Sequence, residues 1–218
     1  MTRGIIEVLA EARNPFSILT KGTLILRDLD LLADAARRTP VETCFSVGTL
    51  DEEVWKATEP GTPHPMRRIE AVARLNDAGV PCGVLLAPIL TGLSDRRDQL
   101  EAVVRACVDA GAPTISPVLL HLRPGVREHY LGWLQRERPE LADEYARRYR
   151  RAYAASSERA AVANTVRELV QRHRGRRGTS PTSMSTRFDP VTRDRDGFPS
   201  TPAARWREAE AERPHSGA

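Results

Sequence analysis

The sequence predicts an α/β protein built around a parallel β-sheet, and two observations carry that prediction. Short apolar runs of strand length alternate with longer segments of helical spacing between residues 2 and 120. In addition, the nine residues Cys82–Leu90 carry no charge and are apolar apart from Gly83. A strand without polar alternation is typical of a sheet that helices cover on both faces. Strands and helices that alternate in this way join by right-handed crossovers, which make the sheet parallel.

The predicted elements begin with a helix over residues 2–13, which ends at Asn14-Pro15 because the residue before a proline disfavours helical backbone. The predicted strands are 16–20, 41–49, 82–90 and 114–120, and the helices between them are 28–38, 51–59, 65–78 and 96–110. Ser94 or Asp95 is a suitable N-cap for the last of these helices. Helical spacing returns over 125–156 and continues to about residue 172.

Composition limits the class of protein and divides the chain. Of the 218 residues, 40% are hydrophobic, which is enough for a core, and the net charge is +4. No signal segment and no run of eighteen apolar residues is present, so we expect a cytoplasmic protein that does not contact membranes. Residues 173–218 are rich in Arg, Ser and Pro and have no periodicity. We therefore expect a folded region over residues 1–172 followed by a disordered tail.

The three cysteines, Cys44, Cys82 and Cys107, are widely spaced in the sequence. No pair of them has the spacing of metal ligands, so no metal-ligating residue is predicted in this chain. Free cysteines in apolar surroundings commonly behave as small hydrophobic residues. The sequence thus favours three reduced and buried thiols.

Candidate functional residues lie where the predicted strands end. Lys21 follows the first strand, Ser46 and Thr49 end the second, and residues 86–92 end the third. Because the carboxyl ends of parallel strands meet at one edge, these residues are expected to line one pocket. Lysine offers a point charge for a carboxylate or phosphate, and a hydroxyl can bind a ribose. The apolar third strand offers a flat surface for a base.

Three segments resemble the radical SAM proteins related to spore photoproduct lyase, and they look closest to the actinobacterial branch of that group. The segments are "ARNPFSILTKGTLILRDLDLL" (12–32), "FSVGTLDEEVWKATEPGTPHPMRRIEAVARLNDAGVPCGVLLAPILTGLSD" (45–95) and "GAPTISPVLLHLRPGVREHYLGWL" (111–134). The resemblance implies a partial (β/α)6 barrel, here with trailing C-terminal helices. It also implies a [4Fe–4S] cluster that reductively cleaves S-adenosylmethionine (AdoMet) to start radical chemistry. A lyase-type reaction is one such chemistry.

The resemblance assigns cofactor-binding roles to individual residues. Lys21 matches the lysine expected near the methionyl carboxylate of AdoMet, and Ser46 matches the residue on the ribose side, with Thr49 close behind. The strand 84–90, which includes Leu86 and Ala87, matches the segment that packs against the adenine, together with the turn at Gly92. No catalytic residue is assigned, and the substrate and oligomeric state stay open.

The chain departs from the family at the cluster motif, C-x3-C-x2-C, which lies upstream of the matching region. The three cysteines are separated by 38 and 25 residues, so they do not supply three thiolates from one short loop. The first predicted strand also has no earlier strand beside it, although exposed edges of parallel sheets are normally covered or paired. We therefore expect a chain that lacks the first βα units of the barrel and is inactive alone, so its status as an enzyme stays open.

Two other functions remain possible on the sequence alone. The Arg-rich segments 146–153 and 171–178 would suit a basic, non-enzymatic protein that associates with nucleic acid through phosphate contacts. Arg-rich helices are also common as solvated surfaces, balanced here by Glu137, Glu140 and Glu144. A complete small β/α phosphate-binding domain is disfavoured because no Gly-rich loop is present.

Overall fold

Four parallel strands form the centre of the fold, which we describe over residues 2–176 of a computed structural model. They are β1 (Phe16–Thr20), β2 (Val41–Ser46), β3 (Cys82–Ile89) and β4 (Ile115–Leu119). The strands lie side by side in chain order, and each pair of neighbours is parallel. The predicted α/β class and the parallel sheet are thus confirmed. The four strands do not close on themselves, and the partial barrel stays a prediction.

The described residues contain eight α-helices. They are α1 (Thr2–Glu11), α2 (Leu29–Arg38), α3 (Glu52–Thr58), α4 (Pro65–Asp77), α5 (Arg97–Asp109), α6 (Val126–Glu137), α7 (Pro139–Arg148) and α8 (Ser156–Arg176). A 3-10 helix, Thr23–Asp28, precedes α2. Within residues 2–176, no helix is both long enough and apolar enough to cross a membrane.

The predicted helical region after residue 125 is wrong in its continuity. It consists of three helices, since Pro139 occupies the first turn of α7 and forces a break after α6. Helix α8 continues to Arg176, four residues beyond the predicted end of the folded region. The rest of the predicted disordered tail, residues 177–218, lies outside the described residues.

One face of the sheet is buried beneath helices. Side chains alternate along a strand, so Val41 and Phe45 of β2 share this face with Val84 and Leu86 of β3. All four are at most 3% exposed. Apolar residues of the covering helices complete the core: Leu32 and Ala35 from α2, Ile69, Val72 and Leu75 from α4, and Val103, Val104 and Cys107 from α5. Removal of this apolar surface from water stabilises the fold.

The opposite face of the sheet is only partly covered by the described residues. Leu19 on β1 is 60% exposed and Val118 on β4 is 39% exposed, while Leu85 and Ala87 on β3 are partly exposed. The prediction that the third strand is buried on both faces therefore holds for Cys82–Val84 and fails beyond them. The sheet presents an open, largely apolar surface toward the carboxyl ends of its strands.

The chain just beyond β2 comes into very close contact with the last residues of β3, at Gly48. A Cβ atom at this position would lie 2.7 Å from the carbonyl oxygen of Pro88 and 3.3 Å from the carbonyl oxygen of Ala87. Both are backbone atoms and cannot move aside by a side-chain rotation. Glycine therefore sets the spacing of the two segments.

We expect Gly48→Ala to destabilise the protein by about 1–3 kcal/mol, because an added methyl group forces this backbone contact apart. The matched control is Gly132→Ala in the interior of α6, where the new Cβ meets only Arg136 Nη1 at 3.8 Å. Alanine is favoured over glycine in a helix by about 0.5–1 kcal/mol, so the control should be more stable than the parent. Urea unfolding followed by circular dichroism measures both; equal midpoints for the two variants would contradict the predicted close contact.

Candidate functional site

The carboxyl ends of the four strands meet at one edge of the sheet, where Lys21, Ser46, Thr49, Ala87 and Gly92 follow or end their strands. The structure thus brings the predicted site residues to one edge, as parallel pairing requires. Leu86 lies there through its backbone only. Its side chain is fully buried on the helix-covered face, and the neighbouring side chains Leu85 and Ala87 lie on the open face.

Lys21 does not project freely into the site, because its ammonium group forms an ion pair with the carboxylate of Glu59. The other oxygen of that carboxylate forms a second ion pair, with Arg68 Nη1 at 2.7 Å. Glu59 follows the end of α3, and Arg68 lies in the first turns of α4. One carboxylate therefore joins the loop after β1 to helix α4.

The Arg68 guanidinium is fully buried and almost all of its hydrogen-bonding capacity is used. In addition to the ion pair with Glu59, Nη1 donates to the carbonyl oxygen of Ser46 at 2.9 Å. Nε donates to the carbonyl oxygen of Pro63 at 2.8 Å. Nη2 donates to Thr62 Oγ1 at 2.5 Å. A buried charge is tolerated when it is paired and hydrogen-bonded in this way. Arg68 thus fixes the last residue of β2 against the loop that precedes α4.

The sequence did not predict a role for Glu59 or Arg68. Both occur in the "EPGTPHPMRR" part of the matching segments, which supplied a signal without a function. Charged residues next to a Pro- and Gly-rich loop are usually solvent-exposed, and nothing in the local pattern distinguishes buried Arg68 from exposed Arg67. Burial of one and exposure of the other depends on how α4 packs against β2.

The predicted hydroxyl groups already have partners inside the protein. Ser46 Oγ donates to the carbonyl oxygen of Ala87 at 2.7 Å and so links the ends of β2 and β3. Thr49 Oγ1 accepts from the backbone N–H of Asp51 at 3.0 Å. Asp51 in turn caps α3, since its carboxylate accepts from the N–H groups of Glu53 and Val54. Each hydroxyl retains capacity for a second hydrogen bond.

The turn after β3 depends on Gly92, whose φ of +76° lies in the left-handed region. The Gly92 N–H donates to Asp95 Oδ1 at 2.8 Å, and the Leu90 N–H donates to Ser94 Oγ at 2.9 Å. These two side chains therefore close the turn and do not cap α5. The predicted N-cap is wrong, because the actual N-cap residue is Arg96, which makes no side-chain capping bond.

Helix α7 holds the same turn from the side opposite the strand. The Tyr145 hydroxyl, fully buried, donates to the carbonyl oxygen of Thr91 at 2.7 Å. A Cβ on Gly92 would approach Leu141 Cδ2 to 3.0 Å, so Leu141 lies directly against the turn. Two residues one helical turn apart thus fix residues 91–92. No local pattern indicates this contact, which joins residues 54 positions apart.

The three cysteines do not converge on a metal site in the described part of the chain. Cys82 and Cys107 are buried, as expected, whereas Cys44 is only partly buried, and all three are free thiols. Burial raises the pKa of Cys44 and of Cys107 to about 12, and that of Cys82 to about 11. Within residues 2–176, no group of three Cys, His, Asp or Glu residues could hold a metal ion. These cysteines therefore do not fit the ligand set of an iron–sulfur cluster, which requires thiolates.

At pH 8 we expect Cys82 and Cys107 to resist alkylation by iodoacetamide in the folded protein. A pKa raised to about 11–12 keeps the group in the neutral thiol form, and the thiolate is the nucleophile. Cys44 serves as the internal comparison: its pKa is raised as well, but its side chain is only partly buried, so the reagent should reach it first. In urea all three should react, since the ordinary pKa of a cysteine is about 8.5. Mass spectrometry of the labelled peptides would show the order; rapid labelling of native Cys107 would contradict it.

We expect Arg68→Met to destabilise the protein by about 3–5 kcal/mol, because it leaves the carboxylate of Glu59 and three oxygen acceptors without their buried donor. Arg67→Met is the matched control: this neighbouring side chain is exposed, and its loss should change stability by less than about 0.5 kcal/mol. Urea titrations of the parent and of both variants measure the free energies of unfolding that are compared. Similar losses for both variants would show that the guanidinium network contributes little.

No protein-family model matches the chain. The chain is similar to an uncharacterized protein of Mycobacterium tuberculosis strain H37Rv, with 38% identity over 172 residues, or 78% of this chain and 51% of the relative. It is also similar to an uncharacterized protein of Acidianus two-tailed virus, with 30% identity over 146 residues, or 66% of this chain and 48% of the relative. The chain thus spans about half the length of the curated relatives it matches.

Solved structures with a similar fold include those of spore photoproduct lyase, which has a radical SAM fold. A double mutant of that enzyme with bound AdoMet and dinucleoside spore photoproduct superimposes with a TM-score of 0.59 and 18% identity. It covers 79% of this chain and 52% of the lyase chain. A single-site mutant gives a TM-score of 0.58 at 16% identity and the same coverage. The described region therefore has a fold similar to that of spore photoproduct lyase, while membership of the radical SAM family and of its actinobacterial branch stays a prediction.

Proposed function

We propose that the carboxyl edge of the sheet binds AdoMet, and that the chain is the cofactor-binding part of a radical SAM enzyme. The observation that carries the proposal is the shared fold with a lyase that holds AdoMet, combined with an open sheet face at the edge where Lys21, Ser46 and Ala87 meet. In α/β folds with parallel strands, ligands bind at this edge.

The residues at the edge offer groups that match each part of AdoMet. The partly exposed side chains of Leu85 and Ala87 provide an apolar surface for the adenine. Ser46 Oγ, already donating to Ala87, can accept from a ribose hydroxyl. The Lys21 ammonium keeps two N–H groups beyond the one that Glu59 accepts, and these suit the methionyl carboxylate.

Glu59 and Arg68 act in this proposal by positioning Lys21. The ion pair restricts the flexible lysine side chain, and the buried guanidinium fixes the carboxylate from the other side. A prepositioned charge binds a ligand at a lower entropic cost than a mobile one. In this proposal the function of the Glu59–Arg68 network is to restrict Lys21, and the sequence did not indicate that function.

The complete enzyme would use a [4Fe–4S] cluster to cleave bound AdoMet reductively, which is the radical-generating chemistry that this cofactor supplies. The cysteines of residues 2–176 do not fit that cluster, so we assign no chemical step to them. We propose that further βα units cover the open face and pair with β1, which has a strand on one side only within the described residues. Such units would carry the C-x3-C-x2-C loop and complete the barrel.

The chain should bind AdoMet weakly, and Lys21→Ala should weaken this binding by about 1.5–3 kcal/mol, or about 10- to 150-fold, the range for a charge-assisted hydrogen bond. Lys56→Ala is the matched control, since Lys21 and Lys56 are the only lysines. Lys56 forms an exposed pair with Glu52 on α3, which contributes little. Isothermal titration calorimetry on both variants measures the difference.

Two outcomes would count against the proposal. Equal affinities of the two lysine variants for AdoMet would remove Lys21 from the site. Tighter binding of ATP than of AdoMet would instead favour the phosphate-binding β/α domain. ATP, a nucleoside triphosphate, shares the adenosine of AdoMet but carries phosphates in place of the methionyl group.

A further inference from the structure

An open groove of about 370 Å³ lies beyond the end of β4, outside the proposed AdoMet site. Its walls are the loop and first turn of α6 on one side and the segment after α7 on the other. The lining residues are Leu122, Pro124, Arg127, Glu128, Arg150, Arg151 and Ala152. Three guanidinium groups against one carboxylate give the groove a net positive charge. Its volume falls within the range of about 300–1,000 Å³ for ligand sites.

Two of the three arginines are uncommitted. Among the described residues, Arg150 and Arg151 have no ion-pair or hydrogen-bond partner, whereas many other arginines of this chain pair with a carboxylate. Arg127 donates through Nε to the carbonyl oxygen of Tyr149 at 2.8 Å. This bond does not use its two terminal nitrogens, which keep N–H groups that a ligand can accept from. Like charges placed together without partners repel one another, so an anion between them would be stabilising.

The two walls of the groove are fixed relative to each other. The Leu122 N–H donates to the carbonyl oxygen of Ala152 at 2.7 Å, and His121 forms an isolated β-bridge with Tyr153. The rings of His121 and Tyr153 stack with their centroids 5.4 Å apart. Leu122, only 1% exposed, anchors one wall in the core. The arginine backbones are therefore held in place before any ligand binds, which favours affinity.

Glu128 is the one acid that lines the groove, and the structure gives it a separate task. Its Oε2 accepts from the Gly125 N–H at 2.5 Å, which caps α6. Its Oε1 lies 3.9 Å from Arg127 Nη1, beyond hydrogen-bond distance. Hydrogen bonds from the backbone N–H groups of Glu128 itself and of Gly125 lower the pKa of Glu128, which favours the carboxylate form, and this charge partly offsets the arginines. Glu128 therefore limits the positive charge of the groove without neutralising Arg150 or Arg151.

We propose that this groove binds a phosphate group, with Arg150 and Arg151 as its principal ligands and Arg127 as a third. A guanidinium presents paired N–H donors that match the geometry of phosphate oxygens. The phosphate would belong to a phosphodiester backbone or to a free phosphate compound. Both present anionic oxygens that accept from the guanidinium groups. The proposal does not depend on AdoMet binding.

The test is fluorescence anisotropy of a short fluorescein-labelled oligothymidylate with the full chain over a range of salt concentrations. Arg150→Gln/Arg151→Gln should bind about tenfold more weakly at low salt, and the salt slope of log K should fall by about 1.4, since each single-strand phosphate contact contributes about 0.7. The matched control is Arg74→Gln/Arg105→Gln on α4 and α5, which removes the same charge from two exposed positions. The control should keep both the affinity and the slope.

Equal losses in the two double variants would overturn the proposal, because they would reflect the overall charge alone. Glu128→Gln provides an independent variant: it removes the opposing charge while glutamine still caps the helix, and it should strengthen binding about threefold. A gain of affinity does not arise from misfolding; no gain would overturn the proposal.

Inorganic pyrophosphate distinguishes the source of the phosphate. Displacement of the labelled strand from the parent chain by pyrophosphate would identify a site for a free phosphate compound. Resistance to pyrophosphate, together with sensitivity to Arg150→Gln/Arg151→Gln, would identify a continuous phosphodiester chain as the ligand.

Discussion

The buried guanidinium of Arg68 is the interaction on which the arrangement of the site depends. It donates to the last residue of β2 and to the loop before α4, it forms an ion pair with the carboxylate of Glu59, and it is fully enclosed. Through Glu59 it also reaches Lys21, beyond the end of β1. A buried cation must have these partners, because an unpaired charge inside a protein is strongly unfavourable. The requirement to satisfy Arg68 thus fixes three separate segments at one edge of the sheet.

The edge is held from a second direction by helices that come late in the chain. Tyr145 binds the Thr91 carbonyl and Leu141 lies against Gly92, so α7 determines where the turn after β3 can lie. The Ser46 hydroxyl and the close contact at Gly48 tie that turn's strand to β2. Taken together, these contacts make the edge rigid while the adjoining sheet face stays open. A rigid edge beside an open apolar surface suits a ligand that has both polar and flat apolar parts.

The arginines of this chain serve different purposes according to their surroundings. Arg68 is structural, and Arg3, Arg97 and Arg172 form surface pairs that contribute little. Arg150 and Arg151 differ because the described residues provide no carboxylate for them. Composition alone treats these residues as equivalent, and a count of basic residues does not separate binding groups from structural ones.

The sequence by itself determined the four strands and their parallel direction, because alternating apolar runs and helical segments leave few other topologies. It also placed Lys21, Ser46, Thr49 and Gly92 at one edge, since strand ends of a parallel sheet coincide. Only the tertiary structure decided the partners of those residues: the Glu59 carboxylate, the buried Arg68, the loop bonds of Ser94 and Asp95, and the clamp by α7. Such contacts join residues tens of positions apart, and local periodicity carries no information about them. They depend on how helices pack on the sheet, which is fixed by the shapes of side chains in the assembled core.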